Sequence, residues 1–167
     1  MRYLWIILCL AIFGLEGGVF LEKPPGFNVK AATVGCCFLH YKDKILLVHR
    51  QDNKAEGNRW GIPGGKLNSN EPLIDAIARE VYEETGLVLD KEKMHYIGKL
   101  YIRVPNFDFE YHMLTYLPEI ENPGAIKINF EEHKGFTWVT PKDALKMNLI
   151  TDEDICFEMV FGLTRTK

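Results

Sequence analysis

The stretch from Pro72 to Thr85 constrains this chain most, because it reads as a helix and as little else. Pro72 suits a first helical turn, Asn70 or Glu71 can cap it, and Gly86 stands where a helix ends in a left-handed residue. Leu73, Ile77 and Val81 recur at i, i+4 and i+8, with Ile74 and Ala78 beside them, so one apolar stripe must find a core. Acids border that stripe. Glu80 and Glu84 project on either side of the direction taken by Leu73, and Glu83 lies next to them. Like charges at these spacings repel by a few tenths of a kcal/mol per pair. Anions at a helix C-terminus oppose its dipole by roughly 0.3–1 kcal/mol each, and partial burial disfavours ionisation further. Arg79, four residues before Glu83, offsets only part of this. An ordinary solvated acidic face would lie opposite the stripe, not along its edge. A hard divalent cation held by oxygen ligands accounts for the placement. Magnesium takes a few carboxylates, keeps several waters and bridges to phosphates.

The segment before the helix, Gly61-Ile62-Pro63-Gly64-Gly65, is too rich in glycine and proline for a helix or central strand and reads as a loop. Gly64 and Gly65 allow a ligand to approach the backbone, and a carbonyl there could join a cation's oxygen set; a plain glycine turn is the alternative. Lys66 is either a point charge for a phosphate or a solvated loop lysine.

Around this centre the chain reads as one α/β domain. Lys23-Pro24-Pro25-Gly26 breaks regular structure, which divides the chain into an N-terminal leader or extension, residues 1–27, and a domain, residues 28–167, starting near Asn28. Ala31 to Tyr41 and Ile45 to His49 read as a strand hairpin about Lys42-Asp43-Lys44, and Gln51 to Arg59 as a polar loop. His95 to Val104 and Asp108 to Leu117 read as strands around Pro105-Asn106, and Phe136 to Val139 as a short one. Pro141 to Met147 reads as a short helix and Ile155 to Gly162 as a closing one. Irregular alternation of this kind predicts a mixed sheet covered on both faces.

With 167 residues there is room for one domain and a proper core. The net charge of -3 gives no global positive field, so long DNA or RNA is not an expected partner, whereas a small anionic nucleotide is compatible with a site whose cation reverses the local field. Cys36 and Cys37 are neighbours in a strand and point to opposite faces, and no cysteine or histidine pair has zinc-site spacing, so the cysteines read as buried free thiols. Tyr3 to Leu15 is an apolar run of thirteen residues, short for a bilayer span and preceded by one basic residue. Three readings stand: a signal or membrane-association segment, a packed N-terminal extension, or a start site placed too far upstream. A cytoplasmic address is expected, with export or membrane association through residues 1–15 as the alternative.

Gly65, Glu71, Arg79-Glu80-Val81, Glu83-Glu84 and Gly86-Leu87 fill every fixed position of the pattern G-x5-E-x7-R-E-U-x-E-E-x-G-U, where U is aliphatic. At average residue frequencies a chance match is about one in a billion per starting point. On these residues the chain resembles the Nudix hydrolases, MutT-like in broad terms, and the looser likeness, including Trp60 to Gly64, runs from Ala31 to Gly162. The resemblance implies a loop–helix–loop on the mixed sheet of an α/β/α sandwich. It implies Mg²⁺-dependent hydrolysis, with Mn²⁺ as a substitute, of a nucleoside diphosphate linked to another group. Glu80, Glu83 and Glu84 would then be metal ligands with the Gly64 carbonyl beside them, and Arg79 would orient Glu83 or its neighbour. Glu71 would reach the metal cluster or hold the loop to the helix. The general base would be a box glutamate or one from a later loop, Glu131 or Glu132; Glu132-His133 with Phe136 and Trp138 resembles an E-H-x-x-aromatic-x-W stretch of nucleoside triphosphate and dinucleoside polyphosphate members.

For substrate, Trp60, Tyr101, Phe107 and Tyr111 are candidates to stack on a base, and Arg50, Arg59, Arg103 and Lys66 to meet phosphates. Three functions are compatible. The first is a nucleoside triphosphate pyrophosphohydrolase, and the second the same chemistry on ADP-ribose, a dinucleoside polyphosphate or a capped RNA end. The third is a non-catalytic binding module, which loss of box acids would mark; none is lost here.

Overall fold

Alternation along one central strand divides the molecule into two cores. The structure, a computed structural model, describes residues 17–27, 32–105 and 107–165. In chain order its strands are β1 (Gly18–Phe20), β2 (Ala32–Tyr41), β3 (Lys44–Arg50), β4 (Trp60–Gly61), β5 (Gly64–Lys66), β6 (Met94–Val104), β7 (Phe107–Glu119) and β8 (His133–Val139). The helices are α1 (Leu73–Thr85), α2 (Pro141–Ala144) and α3 (Glu153–Phe161), with a 3-10 turn at Lys91–Lys93. On β2, Cys36 and Phe38 face one way and Cys37 and Leu39 the other. Cys36 and Phe38 join Ile45, Leu47, Leu100, Met113 and Phe157 under α3, while Cys37 and Leu39 join Leu46, Leu114, Ile77 and Val81 under α1. Burying Ile77 and Val81 fully contributes about 1.5–3 kcal/mol each, which is what seats α1 on the sheet.

The sheet is mixed, as expected for an α/β domain. Its order is β1-β6-β7-β2-β3-β4, with β5 on β2 and β8 on β3. The β2–β7 pair is parallel and the others are antiparallel. The β2–β3 hairpin pairs only at its turn, His40 with Ile45 and Tyr41 with Lys44. Farther back the strands part, and β2 takes β5 at Val34 to Cys36 while β3 takes β8. That parting opens the ground on which the site stands.

Several expectations shift. The glycine-proline segment is not a plain loop: Trp60–Gly61 pairs with β3, and Gly64–Lys66 pairs with β2. Neither Asn70 nor Glu71 caps α1. Pro72 occupies the N-cap without a side-chain bond, Asn70 has φ of 63°, and Glu71 is drawn to Arg79. The first short helix stops at Ala144, because the chain then turns so that the Asn148 carbonyl accepts the Trp60 amide at 2.8 Å. The closing helix starts at Glu153, two residues ahead of Ile155. The sheet also begins before Asn28, since Gly18–Phe20 pairs with Arg103–Tyr101 and Phe27 is buried with its ring edge-on to Tyr101. Tyr3 to Leu15 lies outside the described residues, among which no helix is long and apolar enough to cross a membrane. Cys36, Cys37 and Cys156 are buried and free.

Candidate active site

Close packing of α1 on β2 and β5 brings the acids of the helix to the glycine segment. Gly35 on β2 makes room for the helix, since a Cβ there would come within 2.6 Å of Ile77. Gly65, paired with Gly35, does the same for Glu80, whose carboxylate occupies the space a Gly65 side chain would need. Gly64 presses on Gly35 and Cys36 and donates its amide to Glu84 Oε2 at 2.9 Å. The helix ends at Gly86, φ 72°, whose amide closes on the Tyr82 carbonyl.

Glu84 is the buried acid of the three, at 7% exposure, and burial pushes its carboxyl up to about 8. The Gly64 amide and, at longer range, Arg50 oppose that rise, while Glu80 and Glu132 add to it. His133 Nε2 lies 3.6 Å from Glu84 Oε1. That contact is not an ion pair at neutral pH, because burial takes the imidazole down to about 4. Burial also raises the carboxyl of Glu80, and Arg79 partly restores it. Glu83 stands at the rim, half exposed, 3.4 Å from Arg79.

Arg79 is the hub. Its guanidinium donates to Glu71 through Nε and Nη2, both at 2.9 Å, to Glu80 at 2.7 Å and to the Lys66 carbonyl at 3.3 Å. Glu71 grips Arg79, accepts the Asn68 amide at 3.0 Å, and is drawn down to about 2 by the Arg79 bonds first.

The other expected residues divide. Arg50 bonds the Ala55 carbonyl through Nε at 2.9 Å and is felt electrostatically by Glu84, His133 and Glu153. Glu132 pairs with Lys54 at 2.5 Å and is felt by Glu84. Lys66 is exposed at the end of β5, next to the Gly65–Glu80 contact. Arg59 turns away from the acids, bonding the Leu149 carbonyl, Thr151 and Glu56. Trp60 is stacked on His49, centroids 4.2 Å apart. Tyr111 packs into the core under α3, and Arg103 pairs with Asp108. No spacing in the sequence relates His133 to Glu84 or marks Glu153 as a buried residue of this region. Glu153 is buried at 4% exposure and accepts the Ile62 amide at 2.9 Å. A glutamate in the first turn of a helix gives no sign in sequence that it will point inward.

The donors fit a hard cation in kind. They are carboxylate oxygens, and the most buried of them, Glu84, is pushed toward its protonated form by burial first and by Glu80 and Glu132, a cost that a cation would offset. Arg79 holds two of them in the present arrangement, and among the described residues no three acids, histidines or cysteines converge as a ready metal cage.

An acidic helix end is thus set against a glycine strap, on a mixed sheet with packed cores on both faces. The NUDIX domain profile matches residues 29–157, and the chain belongs to that family of hydrolases. The chain is 46% identical over 55 residues to the m7GpppN-mRNA hydrolase dcap-2 of Caenorhabditis elegans, a match covering 30% of this chain and 7% of that protein. It is 25% identical to a MutT-like protein of Streptomyces ambofaciens, over 72% of this chain and 69% of the other. The solution structure of the E. coli ORF135 protein superposes with a TM-score of 0.68 at 23% identity, covering 84% of this chain and 95% of that one, and shows the same fold.

Burial of Glu153 yields a pH dependence with a definite sign. Its carboxyl is pushed from 4.5 up to about 8, by burial first, against the Ile62 amide and Arg50. The folded state therefore holds a proton that the unfolded state releases between these values, so stability declines as pH rises from about 5 to about 8. Glu84 shifts in the same direction. Melting curves in chelator are expected to show this decline, steepest above the range in which His133 opposes it, and Glu153→Gln to shrink it. An undiminished decline in the variant would rule out the assignment.

Proposed function

We propose that this protein hydrolyses a phosphoanhydride bond in a nucleoside diphosphate linked to another group, using a divalent cation, Mg²⁺ or Mn²⁺, and that its first substrate class is the nucleoside triphosphates. One observation carries the reading: the buried Glu84 carboxylate, fixed by the Gly64 amide, stands among Glu80 and Glu132, where a cation would relieve the crowding of negative charge. Glu80, Glu83 and Glu84 would hold the ion, with the Gly64 carbonyl as a further oxygen. Bound there, the cation would neutralise substrate phosphates and lower the pKa of a water molecule. Arg79 keeps Glu80 and Glu83 at the rim, and Glu71 keeps Arg79. Arg50 and Lys66 are the cations that would receive phosphate oxygens. Glu132, or a box glutamate, would take the proton from the attacking water. The third reading, a binding module without catalysis, is disfavoured by the complete set of acids.

A capped RNA end is the second reading, favoured by the local identity to dcap-2. A panel of nucleoside triphosphates, ADP-ribose, dinucleoside polyphosphate and capped RNA, incubated with Mg²⁺, separates the substrates by their products. Pyrophosphate plus monophosphate is expected; AMP plus ribose phosphate marks ADP-ribose, and a released cap nucleotide marks RNA. Excess chelator is expected to stop every reaction, and turnover that persists in chelator refutes the cation-dependent chemistry.

A further inference from the structure

The strap between β4 and β5 is held from both sides of the sheet by buried carboxylates. Pro63 has no amide hydrogen, so the donors flanking it are the amides of Ile62 and Gly64. Glu153 takes the first at 2.9 Å from the α3 side, and Glu84 takes the second at 2.9 Å from the α1 side. The Pro63 carbonyl accepts the Cys37 amide at 3.0 Å, which fixes the middle of the strap to β2. Ahead of the strap, the Trp60 amide donates to the Asn148 carbonyl at 2.8 Å and the Ile150 amide to the Trp60 carbonyl at 2.9 Å. The segment leading into α3 is thus stitched to the strap, and Glu153 is its innermost point. The other oxygen of Glu153, Oε2, is buried and has no hydrogen-bond partner among the described residues, in surroundings that include Cys36, Tyr111 and Cys156. Gly61 leaves room first for Ile150 and then for this oxygen, since a Cβ there would stand 2.4 Å from Ile150 Cδ1 and 3.3 Å from Oε2. A buried carboxyl with one unmet oxygen is costly, and packing α3 needs none. What this one holds is the backbone two residues from the Glu84 contact.

We propose that Glu153 is a positioning residue of the metal centre, setting through the Ile62–Gly64 strap where the Gly64 amide meets Glu84. The proposal rests on the reading of Glu80, Glu83 and Glu84 as cation ligands. It places the control of ligand geometry on the far face of the sheet, in a residue outside the box helix.

The test is Mn²⁺ binding to the full chain without nucleotide, read from the paramagnetic resonance of the free ion. Glu153→Leu fills the space but offers Ile62 no acceptor, and it is expected to weaken binding by about tenfold or more, the scale of an outer-shell partner. Glu153→Gln keeps an acceptor oxygen and is expected to bind as the wild type does. Phe157→Leu, one turn along α3 in the same core, controls for loosened packing and is expected to lower Tm while leaving Mn²⁺ affinity unchanged. Should Glu153→Leu not fold, Glu153→Asp replaces it: its carboxyl is one methylene shorter, so it must lose Ile62 or drag the strap, and weaker binding is again expected. Wild-type affinity in the Leu or Asp variant overturns the proposal, as does equal weakening by Phe157→Leu. Failure of the underlying metal reading looks different: the wild type does not bind Mn²⁺, or binds it equally well as Glu84→Gln, and the proposal then falls with it.

Discussion

Glu84→Gln is expected to lower kcat by about a thousandfold, within the range for losing a group that manages charge and protons at the reacting centre, while the protein becomes more stable. The two effects have one cause. Glutamine still accepts the Gly64 amide that Glu84 Oε2 accepts at 2.9 Å, so the strap keeps its anchor. It removes a buried charge whose carboxyl is pushed up to about 8 by burial and by Glu80 and Glu132. Without metal at pH 8, Tm should rise by about 3 °C or more, the shift expected for roughly 1 kcal/mol in a chain of this size. At pH 5, where the wild-type carboxyl is already protonated, the difference should vanish. Steady-state rates and melting curves at both pH values read the result. A variant that is inactive but also much less stable at pH 8 would mean that Glu84 is structural, and the chemical role would be withdrawn.

Arg79→Ala is expected to have the second largest effect, and on both properties at once. A single guanidinium serves Glu71, Glu80, Glu83 and the Lys66 carbonyl, and its neighbours raise its own affinity for the proton, the Glu71 bonds most. Removing it leaves Glu71, Glu80 and Glu83 without their shared cation, the last two near a helix C-terminus, where the dipole already disfavours them. Tm should drop by about 5 °C, and kcat/KM by about tenfold or more, because Glu80 and Glu83 lose their orientation. Arg79→Lys distinguishes charge from geometry. Lysine keeps the charge but lacks the fork that meets Glu71 with two bonds, so it should recover much of the Tm and little of the activity. Full activity in the lysine variant would show that charge alone suffices.

Much of this site was legible because it is local. The apolar stripe of α1, the Gly86 stop and the acids on the stripe's border lie within fifteen residues, and helical periodicity relates them without further information. The alternation on β2 likewise foretold two opposed cores, with Cys36 and Cys37 on opposite faces. The surroundings of the substrate candidates are set by longer-range contacts. Arg50 lies within reach of the acids, whereas Arg59 is spent on Leu149, Thr151 and Glu56, partners ninety or so residues away or on the wrong side of its loop. The glycine-proline segment misled because pairing with β2 and β3 is a long-range matter. A glycine that looks like a loop residue becomes a strand residue when another backbone must come close.

By itself the sequence determined the helix, its border of acids and the family that these mark. It could do so because residues three and four apart on a helix are neighbours whatever the rest of the chain does. Only the tertiary structure decided which acid is buried, that Arg79 gathers the others, and that Glu84 and Glu153 grip one strap from opposite faces of the sheet. Those facts depend on contacts spanning twenty and ninety-one positions, and on burial, which no residue possesses until the sheet and both helices have closed over it.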